Sequence, residues 1–179
     1  MPRKSGEPKA LSARITHLEM LAPPAHRVQM PMGPRLAVMR ARAMPLAFYR
    51  YLYEQVGRVH HWLLRRDTPD GELAAAIHAE HTEIQVLYVD GSPAGFFELD
   101  LSRLPEEAEV LYFGLTPDFQ GRGLAKFFLS EAVFAGWEHQ PQRLVIHTNT
   151  LDSPRALQLY QRIGFSPYAF SEESVTPWV

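Results

Sequence analysis

The segment DFQGRGLAK, residues 118–126, contains the residues whose types and spacing most clearly suggest chemistry. It joins an apolar, strand-like run to an amphipathic, helix-like pattern. Gly121 and Gly123 lack a Cβ, so their backbone can adopt a positive φ and let ligand oxygens approach its N–H groups. The start of a helix leaves several N–H groups free at its positive end, and such ends bind phosphates. The loop is therefore a candidate anion site, to which Arg122 could add a charge.

Three phosphate-binding patterns can be compared with this loop. The P-loop pattern G-x-x-x-x-G-K-[ST] fails, because neither nearby glycine is followed by another glycine five residues later. The dinucleotide pattern G-x-G-x-x-G fails, because it requires glycine where Lys126 stands. The pattern Q/R-x-x-G-x-G/A is met by Gln120, Gly123 and Ala125. Glycine-rich turns before helices are common, so the loop alone indicates only some anion at a helix end.

The apolar periodicity around the loop predicts the elements that must position it. Strand periodicity is found at residues 13–21, predicted to be an edge strand, and at 36–42, 83–89, 94–101, 109–115, 143–147 and from 167 onwards. Helical periodicity with start or stop signals is found at residues 45–56, 68–80, 123–137 and 154–162. These elements indicate an α/β fold.

Two junctions predict how the central strands are arranged. Asp90-Gly91 is a strong hairpin signal, so the strands between residues 83 and 115 should form an antiparallel meander. The strand at 109–115, the glycine loop, the next helix and the strand at 143–147 form a βαβ unit. These two strands should therefore run parallel, with a right-handed crossover.

Length and composition exclude several function classes. The 179 residues suit one domain, predicted at 13–179 after a flexible tail at 1–12. With 46% apolar residues, 21% charged residues and a net charge of −2, neither disorder nor a broad polyanion-binding face is indicated. The absence of cysteine excludes disulfides, thiolate metal sites and cysteine nucleophiles. The polar first residues and the lack of an apolar run of about 20 residues argue against a signal peptide and a membrane span.

Two segments, in this order, resemble the GNAT N-acetyltransferase superfamily. The first is the loop QGRGLA after a strand ending in YFGLTP, and the second is ALQLYQRIGF after RLVIHTNT. The family's signature of Ala, Leu-Tyr and Gly-Phe is met by Ala156, Leu159, Tyr160, Gly164 and Phe165. The resemblance covers roughly residues 36–170. It implies a mixed, mostly antiparallel twisted sheet of about six to seven strands, with a splayed central parallel pair at the cofactor site and about four flanking helices.

The resemblance implies that acetyl-coenzyme A is the cosubstrate. In the family, N–H groups of the glycine loop hold the pyrophosphate, and the pantetheine arm lies between the diverging strands like an added strand. Similarity assigns cofactor binding to Phe113, Gly114, Leu115, Gln120, Gly121, Arg122, Gly123, Leu124 and Ala125. Gly114 is also a candidate for the family's strand bulge, and a glycine needed only for packing is the alternative.

The start of the last helix departs from the family's pattern. The family often has an Asn there that contacts the cofactor arm, whereas this chain has Ser153. Asn149, at the end of the preceding strand, is the other candidate for this cofactor contact. We favour a simpler interpretation, in which Asp152 or Ser153 is the N-cap of the helix.

Tyr160 is predicted to be the catalytic acid. Transfer of an acyl group to an amine leaves a thiolate that must be protonated. A phenol with a reference pKa of about 10 is protonated at neutral pH, and it can donate to a thiolate whose conjugate acid has a pKa of about 8.5. A core tyrosine on an amphipathic helix is the alternative.

Two glutamates are predicted as candidates for the base that deprotonates the amine. Glu109 lies on the strand that carries a glutamate base in the histone acetyltransferase branch of the family. Glu98 interrupts an apolar strand, where burial would raise its pKa. A solvent-facing carboxylate is the alternative for each, and many family members use backbone carbonyls and water instead.

The acceptor pocket is shaped in the family by the first two helices and their connection. This region is aromatic here, so it could hold an alkylammonium or aromatic amine by cation–π contacts, or form part of the core. Its residues are Phe48, Tyr49, Tyr51, Tyr53, His60, His61 and Trp62. The two adjacent histidines diverge and have no further ligand at suitable spacing, so no metal site is predicted. The nearby basic residues are interpreted as a solvated face rather than a nucleic-acid site: Arg40, Arg42, Arg65 and Arg66.

Together these features predict an enzyme that moves an acetyl group from acetyl-coenzyme A to a primary amine by direct attack in a ternary complex. The alternative is a non-catalytic acyl-coenzyme A binding or sensor module, in which Tyr160 is merely packed. The expected partner is a small-molecule or peptide amine, with a homodimer as a possible assembly and with neither nucleic acid nor a membrane as a partner. A cytoplasmic location is expected, and the absence of cysteine is compatible with it.

Overall fold

A seven-stranded sheet is the centre of the computed structural model, which describes residues 9–178. Its strands are β1 (Leu11–Met20), β2 (Leu36–Arg40), β3 (Thr82–Val89), β4 (Ser92–Asp100), β5 (Glu107–Leu115), β6 (Arg143–Asn149) and β7 (Ser166–Val175). The flanking helices are α1 (Leu46–Gly57), α2 (Asp70–Ile77), α3 (Ala125–Glu138) and α4 (Pro154–Ile163). The spatial order is β2-β3-β4-β5-β6-β1-β7, and all pairs within the described residues are antiparallel except β5–β6. The predicted α/β fold with a central parallel pair is confirmed.

Turn chemistry explains the hairpin between β3 and β4. Val89 pairs with Ser92, so Asp90 and Gly91 are the two loop residues. Their φ angles are 49° and 87°, and a two-residue hairpin of this type requires positive φ at both positions. The hairpin predicted from Asp90-Gly91 is therefore confirmed, and it begins the antiparallel meander β3-β4-β5.

The N-terminal strand differs from its prediction in position and length. β1 is not an edge strand, because it lies between β6 and β7 and pairs with both. It begins at Leu11, which pairs with Val175, so the predicted tail at 1–12 includes the first two residues of the strand. Residues 1–8 of that tail lie outside the described residues. Both differences arise because β1 gains its second neighbour from the far end of the chain, a non-local pairing that its local pattern does not show.

The two faces of the sheet are covered by different helices. Helices α3 and α4 pack on one face, where Val110, Phe128 and Ile146 belong to one buried cluster. Helices α1 and α2 pack on the other face, where Tyr49 and Phe96 belong to a second cluster. We call these the α3 face and the α1 face. Because successive strand residues point to opposite faces, each residue of β5 and β6 can be assigned to one of them.

The parallel pair β5–β6 separates part of the way along its length. The two strands pair as far as Val110 and Ile146, although they continue to Leu115 and Asn149. Beyond that point their facing edges present backbone N–H and C=O groups that are not paired with each other. The splayed central pair that the resemblance implied is therefore present, and it opens a gap through the middle of the sheet.

A bulge in β5 lies at the point where the strands separate. Across β4, Val110 pairs with Leu99 and Tyr112 pairs with Glu98, which leaves Leu111 as the extra residue. Leu111 and Tyr112 both pack in the α1-face cluster, as expected when one residue interrupts the alternation. A bulge bends its strand, and this one lies where the pairing of β5 with β6 ends.

Candidate active site

A cleft of about 680 Å³ opens where β5 and β6 separate. This volume lies within the range of about 300–1,000 Å³ that is typical of small-molecule sites. The cleft is bounded by β5, β6, the glycine loop, one side of α4, the end of β7 and the connection between α1 and α2. It therefore joins both segments on which the family resemblance rests.

The glycine loop adopts the conformation that its sequence predicts. Gly121 and Gly123 have φ angles of 72° and 76°, a region that is costly for residues with a Cβ. A Cβ on either would meet no atom within 4 Å, so backbone conformation rather than lack of space explains the glycines. Gln120 donates from Nε2 to the Leu115 carbonyl at 3.2 Å, which ties the loop to the end of β5. Leu124 cannot cap α3 with its side chain, so the first N–H groups of that helix are available to an anion.

All but one of the residues predicted to bind the cofactor line the cleft. They are Phe113, Gly114, Leu115, Gln120, Gly121, Gly123, Leu124, Ala125, Asn149 and Ser153. The exception is Arg122, whose guanidinium lies 4.9 Å from the centroid of the Phe119 ring. Positive charge on the cleft wall comes instead from Lys126, Arg155 and Arg162, none of which the sequence pattern singled out.

Gly114 is not the bulge residue, because the extra residue of β5 is Leu111. Gly114 is required for a different reason: a Cβ at this position would clash with the side chain of Val56 in α1. The alternative of a glycine needed for packing is therefore the correct one. The missing side chain of Gly114 lets α1 lie close to β5, which forms one side of the cleft.

Tyr160 lines the cleft from the α3 face. Its ring packs edge-on against Phe113 and Phe165, with centroid separations of 6.5 and 6.4 Å. Burial raises the pKa of the Tyr160 phenol above its ordinary value, and the carboxylate of Asp152 adds to the effect. The hydroxyl is therefore protonated throughout the neutral range and can act as a hydrogen-bond donor in the cleft.

Three residues near the start of α4 were predicted to cap this helix or to contact the cofactor, and their hydrogen bonds distinguish them. Ser153 caps α4, since its Oγ accepts a hydrogen bond from the N–H of Arg155 at 3.3 Å. Asp152 accepts hydrogen bonds from the Thr148 hydroxyl at 2.7 Å and from the N–H of Asn149 at 2.9 Å. The Oδ1 of Asn149 accepts from the N–H groups two and three residues ahead. The cap interpretation of Ser153 is confirmed, while Asn149 both holds the turn and lines the cleft.

Glu98, one of the two predicted candidates for the base, does not line the cleft. It lies beneath α1 with 1% exposure, where its Oε2 accepts a hydrogen bond from the Tyr49 hydroxyl at 2.7 Å. The Nη2 of Arg65 lies 2.7 Å from its Oε1. Burial raises the pKa of Glu98, as predicted, while Arg65 and Tyr49 act in the opposite direction. Arg65 is also misassigned to a solvated face, because only 10% of its side chain is exposed.

His147 is a cleft residue that the sequence pattern did not indicate. It is the first residue of β6 beyond the last β5–β6 pair, and alternation places it on the α1 face. Its Nδ1 lies 3.3 Å from Oε1 of Glu109, and Arg103 donates a hydrogen bond to Oε2 of the same carboxylate at 2.7 Å. Glu109 is absent from the cleft wall, so it reaches the cleft only through His147.

The contact between His147 and Glu109 shifts their pKa values in opposite directions. The hydrogen bond with Glu109 raises the pKa of His147, although burial opposes this shift. Burial acts to raise the pKa of Glu109, but the hydrogen bonds from His147 and Arg103 outweigh it and lower the net pKa. The two side chains therefore form an ion pair over the range between the ordinary pKa values of Glu and His, about 4.3 and 6.5.

We expect this pair to add a pH-dependent part to the free energy of unfolding. Because the folded-state pKa of His147 is raised, its contribution is complete below about pH 6.5 and is lost as the pH rises through the folded-state value. Urea unfolding at about pH 6 and about pH 8.5 tests this expectation in the wild type and in His147→Gln. The wild type should lose more stability between the two pH values than the variant. Equal losses would show that the pair does not couple folding to protonation.

The aromatic residues near α1 divide between core and cleft. Tyr49 and Tyr53 are buried on the α1 face, with ring centroids 6.0 Å apart. Phe48 packs partly against the same cluster, whereas Tyr51 is exposed. Trp62 lines the cleft and packs on Tyr53 at 5.5 Å between ring centroids. The core interpretation therefore holds for Tyr49 and Tyr53, while Trp62 is open to the cleft.

Hydrogen bonds connect the segment that carries His60, His61 and Trp62 to two distant parts of the chain. His60 Nδ1 lies 3.2 Å from the Leu151 carbonyl, across the cleft near α4. The backbone N–H of Trp178 donates to His61 Nδ1 at 3.1 Å, and its indole donates to the Trp62 carbonyl at 2.8 Å.

Within residues 9–178, no group of three or more His, Asp or Glu side chains could hold a metal ion. No helix in that same part of the chain is long and apolar enough to cross a membrane.

The splayed parallel pair, the glycine loop at the start of the crossover helix and the cleft-lining tyrosine are the features that the GNAT resemblance implied. A family model described as the acetyltransferase (GNAT) family matches residues 45–165. The chain belongs to this family. The matched region includes the whole loop and both strands of the parallel pair. Among proteins of curated function, none matches the sequence.

Solved structures with the same fold have low sequence identity to this chain. A tandem GNAT protein from the clavulanic acid biosynthesis pathway is 14% identical with a TM-score of 0.63, over 97% of this chain and 56% of that one. A GCN5-related N-acetyltransferase from Kribbella flavida is 18% identical with a TM-score of 0.60, over 96% and 60%. An aminoglycoside N-acetyltransferase in complex with CoA is 19% identical with a TM-score of 0.54, over 77% and 92%. The chain therefore spans less than two thirds of the length of the first two of these proteins.

Proposed function

We propose that this chain transfers an acetyl group from acetyl-coenzyme A to a primary amine, by direct attack of the amine in a ternary complex. One arrangement carries the proposal: the glycine loop at one end of the gap between β5 and β6, with Tyr160 beside the gap. Family membership supports acyl transfer in general. The similar structure with bound CoA is an aminoglycoside N-acetyltransferase, which supports a coenzyme A donor and an amine acceptor.

The walls of the cleft fit coenzyme A. The N–H groups at the start of α3 and the positive φ angles of Gly121 and Gly123 suit a pyrophosphate. Lys126, Arg155 and Arg162 supply positive charge on the same cleft. The unpaired edges of β5 and β6 offer backbone donors and acceptors to the amide groups of a pantetheine arm. When bound, acetyl-coenzyme A supplies an acyl group activated as a thioester.

The proposed catalytic acid, Tyr160, and the expected position of the acceptor amine lie on opposite faces of the sheet. Tyr160 approaches from the α3 face, where its protonated hydroxyl can donate to the sulfur of the departing thiolate. Trp62 and the connection around it lie on the α1 face, where the family resemblance expects the acceptor. The departing sulfur would then face Tyr160 on one side of the gap, while the amine would approach from the other side. Because the chain has no cysteine, the acyl group is expected to pass directly to the amine.

Replacing Gly123 by Ala is expected to weaken acetyl-coenzyme A binding by about tenfold, since a Cβ at positive φ costs about 1–2 kcal/mol or forces the loop to change shape. Isothermal titration calorimetry with acetyl-coenzyme A measures the effect. Gly33→Ala is a matched control, because Gly33 also has a positive φ of 113° but is not part of the cleft. It should lower stability without changing affinity. Similar losses of affinity in both variants would contradict the assignment of the loop.

The experiment that tests the proposed function is release of free thiol from acetyl-coenzyme A across a panel of polyamines, amino acids, aminoglycosides and peptides. Binding of acetyl-coenzyme A is measured in parallel. We expect saturable binding and release that depends on at least one amine. Tight binding without amine-dependent release would favour the second candidate, a non-catalytic acyl-coenzyme A binding or sensor module. Absence of binding would overturn both.

A further inference from the structure

His147 lies at the fork where the parallel strands separate. The last paired residues are Val110 and Ile146, so His147 is the first residue of β6 that faces the gap without a β5 partner. It lines the cleft from the α1 face, opposite the side from which Tyr160 lines it. Within the proposed function, this is the side of the gap on which the acceptor amine must lie.

Glu109 orients the imidazole. Glu109 stands one residue before the last paired position of β5, on the same face as His147, and its Oε1 lies 3.3 Å from His147 Nδ1. Its Oε2 accepts a hydrogen bond from Arg103 at 2.7 Å, which fixes the carboxylate from the other side. A neutral imidazole that donates from Nδ1 to a carboxylate has its lone pair on Nε2. The second nitrogen of the ring is then the one available to act as a base.

The charged and titratable groups around His147 come from three strands and from the turn before α4. Besides Glu109 on β5, they are Asp152 before α4, Glu173 on β7 and His17 on β1, whose ring centroid lies 6.1 Å from that of His147. His17 is held by Ser171, with 2.8 Å between its Nε2 and the serine Oγ. Three carboxylates therefore favour a positive charge on His147, and such a charge is what a base acquires when it takes a proton.

We propose that His147 is the base that takes the proton from the acceptor amine, and that Glu109 is a positioning residue that orients it. The inference rests on the proposed function. The nitrogen lone pair forms the C–N bond to the acetyl carbonyl carbon, the C–S bond breaks, and its electron pair leaves on sulfur. One proton passes from the amine nitrogen to Nε2 of His147, and Tyr160 donates a proton to the sulfur. Solvent returns the phenolic proton and removes the proton from His147, so the cycle closes without another reactant.

The two predicted bases fit this role less well than His147 does. Glu98 is enclosed beneath α1 with Tyr49 and Arg65 and does not line the cleft. Glu109 is absent from the cleft wall, and both of its carboxylate oxygens are engaged by Arg103 and His147. The prediction of Glu109 is thus retained in a changed form, as the partner of the base rather than the base.

His147→Gln tests the proposal, because glutamine fills similar space but cannot accept the proton. The rate of amine-dependent thiol release is measured against pH, using the amine from the panel with the highest rate. In the wild type kcat/KM should rise with pH as His147 loses its proton. In the variant this rise should be absent and kcat should fall by about 10²-fold or more, with acetyl-coenzyme A affinity unchanged. A variant that keeps the rate and the pH-dependent rise would overturn the proposal.

Two further variants separate chemistry from structure. Glu109→Gln should lower kcat and shift the rise of kcat/KM to lower pH, and NMR titration of the His147 ring should show the same shift without any substrate. His78→Gln is the control, because His78 lies outside the cleft with its Nε2 2.8 Å from the Met44 carbonyl, and it should keep the wild-type pH profile. An unchanged His147 titration in Glu109→Gln would overturn the positioning role. If the wild type binds acetyl-coenzyme A but no amine promotes thiol release, the proposed function fails, and this role fails with it.

Discussion

Replacing Tyr160 by Phe is expected to lower kcat for amine-dependent transfer by about 10²-fold or more, because it removes the proton donor for the departing thiolate. Acetyl-coenzyme A affinity should hardly change. The phenyl ring keeps the edge-on contacts with Phe113 and Phe165, so the cleft wall retains its shape. Because burial keeps the hydroxyl protonated, the loss should be similar throughout the neutral pH range. Steady-state kinetics with calorimetric binding measure both quantities.

Tyr168→Phe is a matched control for this substitution. Tyr168 lies on β7 with 45% exposure and is not part of the cleft wall. Its kcat should equal that of the wild type. Unaltered turnover in Tyr160→Phe, on an amine that the wild type acetylates, would show that Tyr160 is a packed core tyrosine. The mechanism would then need another source for the thiolate proton.

Replacing Arg65 by Met is expected to lower the free energy of unfolding by about 3–5 kcal/mol, because it leaves the buried carboxyl group of Glu98 without its partner. The loss should be smaller at low pH, since the pKa of Glu98 rises further in the variant and the carboxyl group can take up a proton. Urea or guanidinium unfolding at acidic and at slightly alkaline pH measures both effects. The same substitution should loosen the connection that walls the acceptor side of the cleft.

Two comparisons make this stability prediction specific. Arg50→Ala breaks an ion pair of equal length, 2.7 Å to Asp70, and a hydrogen bond to the Thr68 carbonyl, but the aspartate is 78% exposed, so the ion pair should contribute only about 0–1 kcal/mol. Adding Glu98→Gln to Arg65→Met should recover part of the stability, because the neutral amide can still accept the hydrogen bond from Tyr49. A loss in Arg65→Met no larger than in Arg50→Ala would mean that solvent reaches Glu98.

The features predicted correctly from the sequence are those with local causes. The hairpin follows from the positive φ angles of Asp90 and Gly91, and the conformation of the glycine loop follows from those of Gly121 and Gly123. The helix that carries Tyr160 follows from its apolar periodicity and from the cap at its start. Each of these causes lies within a few residues of the feature itself, so the sequence pattern was sufficient.

The features that were missed depend on residues far apart in the sequence. Glu98 looked like a base in an apolar strand, but its environment is set by Arg65, which lies 33 positions earlier in the chain and on a different element. His147 looked like an ordinary strand residue. Its role depends on the register that ends at Val110 and Ile146 and places it beside Glu109. Because side chains alternate along β6, the sequence could have placed His147 on the α1 face if the last residue that pairs with β5 had been known.

Amine-dependent release of the coenzyme A thiol by the wild-type chain and by Tyr160→Phe is the most direct test of the proposed acyl transfer. The wild type should release thiol only when protein, acetyl-coenzyme A and a suitable primary amine are all present, together with an equal amount of acetylated amine. Tyr160→Phe should bind acetyl-coenzyme A equally well, and its rate of thiol release should be lower by about 10²-fold or more. Saturable acetyl-coenzyme A binding without amine-dependent release from any acceptor would contradict acyl transfer and leave a binding module.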